Sequence, residues 1–162
     1  MIERTSSEAT AVQQDAAVQA QYKTAQNLNI RISIHAKYST NKQGLGNWIF
    51  SHYDLPAGTE ILELGCGTGS IWKHRLPAAE NGVRVFLTDF SEGMLSSARE
   101  LLGEQPNLSY AVVNIQDIPY ESGRFSRVIA NNMLYHIPDL DRGLSEVKRV
   151  LADDGIFLMY ND

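Results

Sequence analysis

The sequence predicts an α/β domain built on a doubly wound parallel sheet with helices on both faces. Three observations carry that reading. From residue 60 onward, short apolar runs alternate with amphipathic stretches of helical period. The first apolar run ends in the glycine-rich turn Gly65-Cys66-Gly67-Thr68-Gly69, and the second ends in a carboxylate, Asp89. Alternating strands and helices imply right-handed βαβ units, and the ligand of such a sheet lies outside the carboxyl ends of its strands.

Each element follows in order. Residues 1–9 are polar and expected to fray. Thr10 to Lys37 contains neither Gly nor Pro and is rich in Ala and Gln, which predicts a helix. The alternation of Leu28, Ile30, Ile32 and Ile34 runs against it, but the breaker-free stretch is too long for one strand. Residues 39–47 read as a loop, 48–53 as a short helix and Pro56-Ala57-Gly58 as a turn. Strand one covers 60–64. A helix over 70–76 is expected to stop near Pro77. Strand two covers 83–88, and Ser91 caps a helix to Leu102 that Gly103 ends. Strand three covers 108–113 and strand four 125–130. Asp139 opens a helix to Leu151, and strand five covers 155–160.

Composition narrows the function. The 162 residues allow one core, and 43% hydrophobic with 20% charged residues is ordinary for a globular protein. A net charge of −5 argues against a nucleic-acid backbone as substrate. The single cysteine, Cys66, excludes an intrachain disulfide and fits a reducing cytoplasm. The opening residues lack the apolar core of a secretory signal, no run is long enough to span a membrane, and no metal-ligand spacing stands out.

A glycine turn after a strand lets backbone N–H groups approach a ligand, and a carboxylate ending the next strand suits a ribose diol. The glycine spacing is G-x-G-x-G, with Ser70 where a dinucleotide-binding turn would place its third glycine. Glu63 stands two residues before the first glycine. A carboxylate there repels a pyrophosphate but suits a cofactor that carries an ammonium and a sulfonium.

This combination resembles motif I of the class I S-adenosylmethionine-dependent methyltransferases. Asp89 to Leu95 resembles their second motif, and Val113 to Tyr120 their adenine motif, with Asn114 in place of the common Asp. Phe125 to Pro138 resembles their fourth strand and loop, and Val147 to Ile156 the helix and turn before strand five. The likeness covers roughly residues 48–162. It implies a Rossmann-like core over 48–162 and an N-terminal helical lid over 1–47. The chain stops after strand five, without the family's C-terminal antiparallel strands. The expectation is a fragment of a longer enzyme, or a homodimer in which a second chain covers the strand-five edge.

The resemblance also implies site roles. Gly65, Gly67 and Gly69 would cradle the methionine moiety of S-adenosyl-L-methionine, with Cys66 beside it as a small buried hydrophobe. Glu63 and the Asn131 carbonyl would meet the ammonium, and Asp89 would hold the ribose. Phe90 and Met94 would cover the adenine or ribose, or serve as ordinary core. Asn114 would accept from the adenine amine, and Ile115 would offer its backbone N–H. Tyr135 and His136 would face the methyl group, with His136 a candidate base or else a packing residue. Tyr22, His35 and Tyr38 would belong to a lid that shapes the substrate site, or to a solvated helix. The implied reaction is methyl transfer to a small-molecule acceptor, leaving S-adenosyl-L-homocysteine. The rivals are a protein that binds the cofactor or its product without catalysis and a nucleotide-sugar or nicotinamide oxidoreductase, against which the glycine spacing and Glu63 argue.

Overall fold

The computed structural model describes residues 33–34, 37–38 and 44–161. Five strands form one parallel sheet in the order β3-β2-β1-β4-β5: β1 Glu60–Leu64, β2 Arg84–Asp89, β3 Leu108–Val112, β4 Phe125–Asn131 and β5 Leu151–Tyr160. The chain winds outward from β1 through β2 to β3, then returns to β4 on the other side of β1. That reversal makes the carboxyl ends of β1 and β4 the switch point.

Central β1 is buried from Ile61 to Leu64, as a strand covered on both faces must be. Its side chains alternate between two cores. Leu62 and Leu64 join Val128, Val147 and Val150 under α3 (Leu140–Val150). Ile61 joins Val85, Leu87, Trp72 and Leu95 under α2 (Glu92–Leu102). Ser91 and Asp139 cap these two helices, accepting from the N–H groups of Met94 at 3.4 Å and Arg142 at 3.0 Å. No helix among the described residues is long and apolar enough to cross a membrane.

Three expectations need correction. The short helix α1 spans Leu45–Phe50 rather than 48–53. It starts after Gly44, whose φ of 75° a side chain would disfavour. The helix expected over 70–76 is a single 3-10 turn, Ser70–Trp72. Lys73 turns extended (ψ 120°) and His74 takes φ 63°, because the Trp72 indole is drawn fully inside and Pro77 leaves no room for a second turn. Strand five begins at Leu151 rather than 155. Its register shifts between Phe125↔Leu151 and Arg127↔Ile156, a bulge that takes up Asp153-Asp154-Gly155. A Cβ on Gly155 would stand 2.7 Å from Leu151 Cγ. The helix expected over 10–37 lies almost wholly outside the described residues.

Candidate functional site

The glycine turn leaves β1 with φ of 67°, 56° and 68° at Gly65, Gly67 and Gly69. Two of these glycines also answer to packing. A Cβ at Gly65 would lie 2.9 Å from Met133 Cβ, and one at Gly69 would lie 2.9 Å from Leu102 Cδ1. The turn is therefore clamped between the loop after β4 and the end of α2. Cys66 N–H donates to the Thr88 carbonyl at 2.9 Å, tying the turn to the end of β2. The Cys66 side chain is buried. Burial, then the carboxylates of Glu63 and Asp89, push its thiol up, so it sits there as a small apolar group.

Asp89 closes the turn from the β2 side. Its Oδ2 accepts from Gly67 N–H at 2.9 Å and its Oδ1 from Ser91 N–H at 2.8 Å. Burial nonetheless raises its pKa against the pull of these amides. A carboxylate offers paired acceptor oxygens, the pattern that a vicinal diol matches. Phe90 is half-buried beside it, whereas Met94 is 1% exposed and packs as core. The end of β3 is drawn in by Val113 N–H, which donates to the Asp89 carbonyl at 3.1 Å. Asn114 follows with its Oδ1 accepting from Gln116 N–H at 2.9 Å, an Asx turn that holds its own loop. Ile115 is buried.

Glu63 is the unusual group. It projects from β1 into the core at 2% exposure. Its Oε2 accepts from Trp72 Nε1–H at 2.5 Å and its Oε1 from Asn131 Nδ2–H at 3.4 Å. Burial raises its pKa from 4.5 to about 7, Trp72 and Asn131 oppose that shift, and Asp89 adds to it. Asn131, at the end of β4, also donates from Nδ2 to Tyr53 Oη at 2.6 Å. Tyr53, Phe50 and Trp72 form a ring cluster with centroids 5.2–6.0 Å apart. Arg75 fastens α1 to the turn by donating to the Ile71 carbonyl at 2.7 Å and to Asn47 Oδ1. Sequence reasoning missed Tyr53 and Trp72. The signal for Trp72 was its position three residues past Gly69; Tyr53 carried none.

The remaining wall is the loop after β4. Asn132 adopts φ 52° and donates its N–H to the Tyr160 carbonyl at 2.7 Å. Met133 covers Gly65, and Leu134–His136 makes a 3-10 turn. Tyr135 is 54% exposed and its ring lies 4.3 Å from that of His136. Trp48 of α1 meets Tyr160 edge-on at 6.1 Å. The structure thus brings together Glu63, Gly65, Cys66, Gly67, Gly69, Asp89 and Asn131. Tyr38 is exposed, with Lys37 Nζ 5.4 Å from its ring centroid. Tyr22 and His35 lie outside the described residues. Among the described residues, no group of three or more His, Cys, Asp or Glu side chains is placed to hold a metal.

Residues 62–159 match the family model described as a methyltransferase domain, which is more than half of the chain. The chain belongs to the class I S-adenosylmethionine-dependent methyltransferases. This methyltransferase domain is 34% identical over 97 residues to a malonyl-[acyl-carrier protein] O-methyltransferase from Geobacter sulfurreducens, covering 60% of this chain and 36% of that one. It is 28% identical to the CurJ carbon methyltransferase, covering 69% of this chain and 31% of that one with a TM-score of 0.58. It is 27% identical to the methyltransferase CalH, solved in complex with SAH, covering 72% of this chain and 35% of that one with a TM-score of 0.56. The chain therefore spans about a third of the length of these relatives.

Proposed function

We propose that this domain binds S-adenosyl-L-methionine across the carboxyl ends of β1, β2 and β4. It then presents the methyl group to a small-molecule acceptor, with S-adenosyl-L-homocysteine as product. The observation that carries the reading is a pair of carboxylates, Glu63 buried and Asp89 half-buried, with no Lys, Arg or His partner among the described residues. Two uncompensated carboxylates repel a pyrophosphate. They suit a ligand that brings one cation and one diol.

The cofactor supplies a methyl group on an electrophilic sulfonium. The chain's own residues bind and orient. Glu63 and the Asn131 carbonyl hold the ammonium, Asp89 the ribose hydroxyls, and the Gly65–Gly69 turn the chain between them. Phe90, Asn114 and the Ile115 backbone border the base, with Met94 as core beneath them. Tyr135 and His136 border the acceptor, and a His136 ring nitrogen accepts the proton of any acceptor that must lose one. Acceptors that are already nucleophilic need only alignment and exclusion of water. The acidic balance favours a small acceptor over nucleic acid, and the lone thiol suits a reducing cytoplasm.

The relatives include enzymes named for malonyl-[acyl-carrier protein] and demethylmenaquinone, so the acceptor is sought among small organic and carrier-bound acyl compounds. The test is transfer of labelled methyl from S-adenosyl-L-methionine to such a panel, with RNA and DNA as controls. Label on a small acceptor supports the reading. Label on nucleic acid alone overturns the acceptor class. Cofactor binding with no transfer to any acceptor favours the non-catalytic rival.

A further inference from the structure

Tyr53 lies outside every motif that the family resemblance covers, yet its hydroxyl reaches the centre of the site. The hydrogen bonds around it fix which atoms donate and which accept. Glu63 has each oxygen engaged by a neutral donor, Trp72 Nε1 and Asn131 Nδ2. Next to that carboxylate, Asn131 must turn its NH₂ rather than its carbonyl inward. The same NH₂ then donates its second hydrogen to Tyr53 Oη at 2.6 Å. The phenol oxygen is thereby an acceptor, and its own hydrogen has no acceptor among the described residues. Burial, then the Glu63 carboxylate, push the phenol well above its ordinary pKa, so that hydrogen stays in place across the working pH range.

The ligand side has a matching gap. The amino-acid end of the cofactor carries a carboxylate as well as an ammonium, and Glu63 with the Asn131 backbone carbonyl serves only the cation. A carboxylate brought near Glu63 without a donor would be repelled. Arg75 holds its guanidinium on the Ile71 carbonyl and Asn47, and Trp72 holds its N–H on Glu63. We propose that the Tyr53 hydroxyl donates to the carboxylate of the cofactor's methionine moiety, making Tyr53 a cofactor-binding residue that selects for an intact amino-acid end. This inference rests on the cofactor reading above.

The test compares two probes on two proteins by calorimetry. The probes are S-adenosyl-L-homocysteine and its decarboxylated analogue, which keeps the ammonium and lacks the carboxylate. The proteins are the 162-residue chain and its Tyr53→Phe variant, which retains the ring packing against Phe50 and Trp72. The expected result is that Tyr53→Phe weakens S-adenosyl-L-homocysteine about tenfold, the loss of one hydrogen bond to a charged group, and leaves the analogue unchanged. An unchanged Kd for S-adenosyl-L-homocysteine overturns the proposal. So does an equal loss for both probes, which would make Tyr53 a packing residue only. A wild-type chain that binds neither probe overturns the cofactor reading, and this proposal with it.

Discussion

Glu60 and Glu63 stand three residues apart on the same strand and live by opposite rules. Glu60, at the amino end of β1, is held in ion pairs by Arg84 and Arg124. Arg124 in turn lies over the rings of Phe86, Tyr120 and Phe125 at 4.5–5.1 Å. Glu63, at the carboxyl end, is more deeply buried and receives only neutral donors. The first carboxylate is neutralised by the protein and is finished as a structural part. The second has no cation beside it, and burial raises its pKa to about 7. A buried group in that condition marks the place where a ligand completes the electrostatics.

Substitution at the two positions should separate these roles, with the largest effect at Glu63. Glu63→Gln should weaken S-adenosyl-L-homocysteine by about 2–4 kcal/mol, the loss of a buried charge partner. It should not destabilise the unliganded chain at pH 8. The folded pKa of about 7 lies above the ordinary 4.5. Glu63 therefore favours folding fully below 4.5, and that contribution is lost as pH rises through 7. Glu60→Gln should do the reverse, lowering stability by about 1 kcal/mol in urea melts with no change in Kd. Equal effects on binding at the two positions would break the comparison.

Asp89→Ala comes next, at about 1–3 kcal/mol of binding for a charge-assisted contact. It should also lower the melting temperature, because Gly67 and Ser91 lose the acceptor of their N–H groups. An unchanged Kd would remove Asp89 from the site.

A third carboxylate sharpens the contrast at smaller scale. Glu146 accepts from Ile118 N–H and pairs with Arg149, whose guanidinium also holds the Ile118 and Tyr120 carbonyls. Arg149 pulls the Glu146 pKa down to about 2. Its contribution is present above 4.5 and lost as pH falls through 2. Glu146→Gln should thus flatten the acid limb of a stability profile by less than about 1 kcal/mol. The smallest effect belongs to His136→Ala, which should leave the Kd for S-adenosyl-L-homocysteine unchanged and lower transfer only to acceptors that must lose a proton; a collapse of binding would make the residue structural.

The parts of this picture that sequence reasoning reached are those set by local chemistry. Strands β1 to β4 follow from runs such as Ile61-Leu62 and Val128-Ile129-Ala130, and the Ser91 and Asp139 caps from their hydroxyl and carboxylate. Gly65 and Asp89 were legible because a turn and a strand end have fixed offsets. Trp72 was not, because its burial is a tertiary event that overrides the helical preference of Ser70 to Leu76. Tyr53 was not, because its partner Asn131 is 78 residues away in sequence. The early start of β5 was hidden by Asp153-Asp154-Gly155, which reads as a turn and folds as a bulge.

The most direct test of the central claim is calorimetric titration of the chain with S-adenosyl-L-homocysteine between pH 6 and 8, with NADH as control. An ionised Glu63 facing an ammonium predicts binding at pH 8 that weakens toward about tenfold per unit below pH 7, and no binding of NADH. Affinity independent of pH across that window, or binding of NADH, would contradict it.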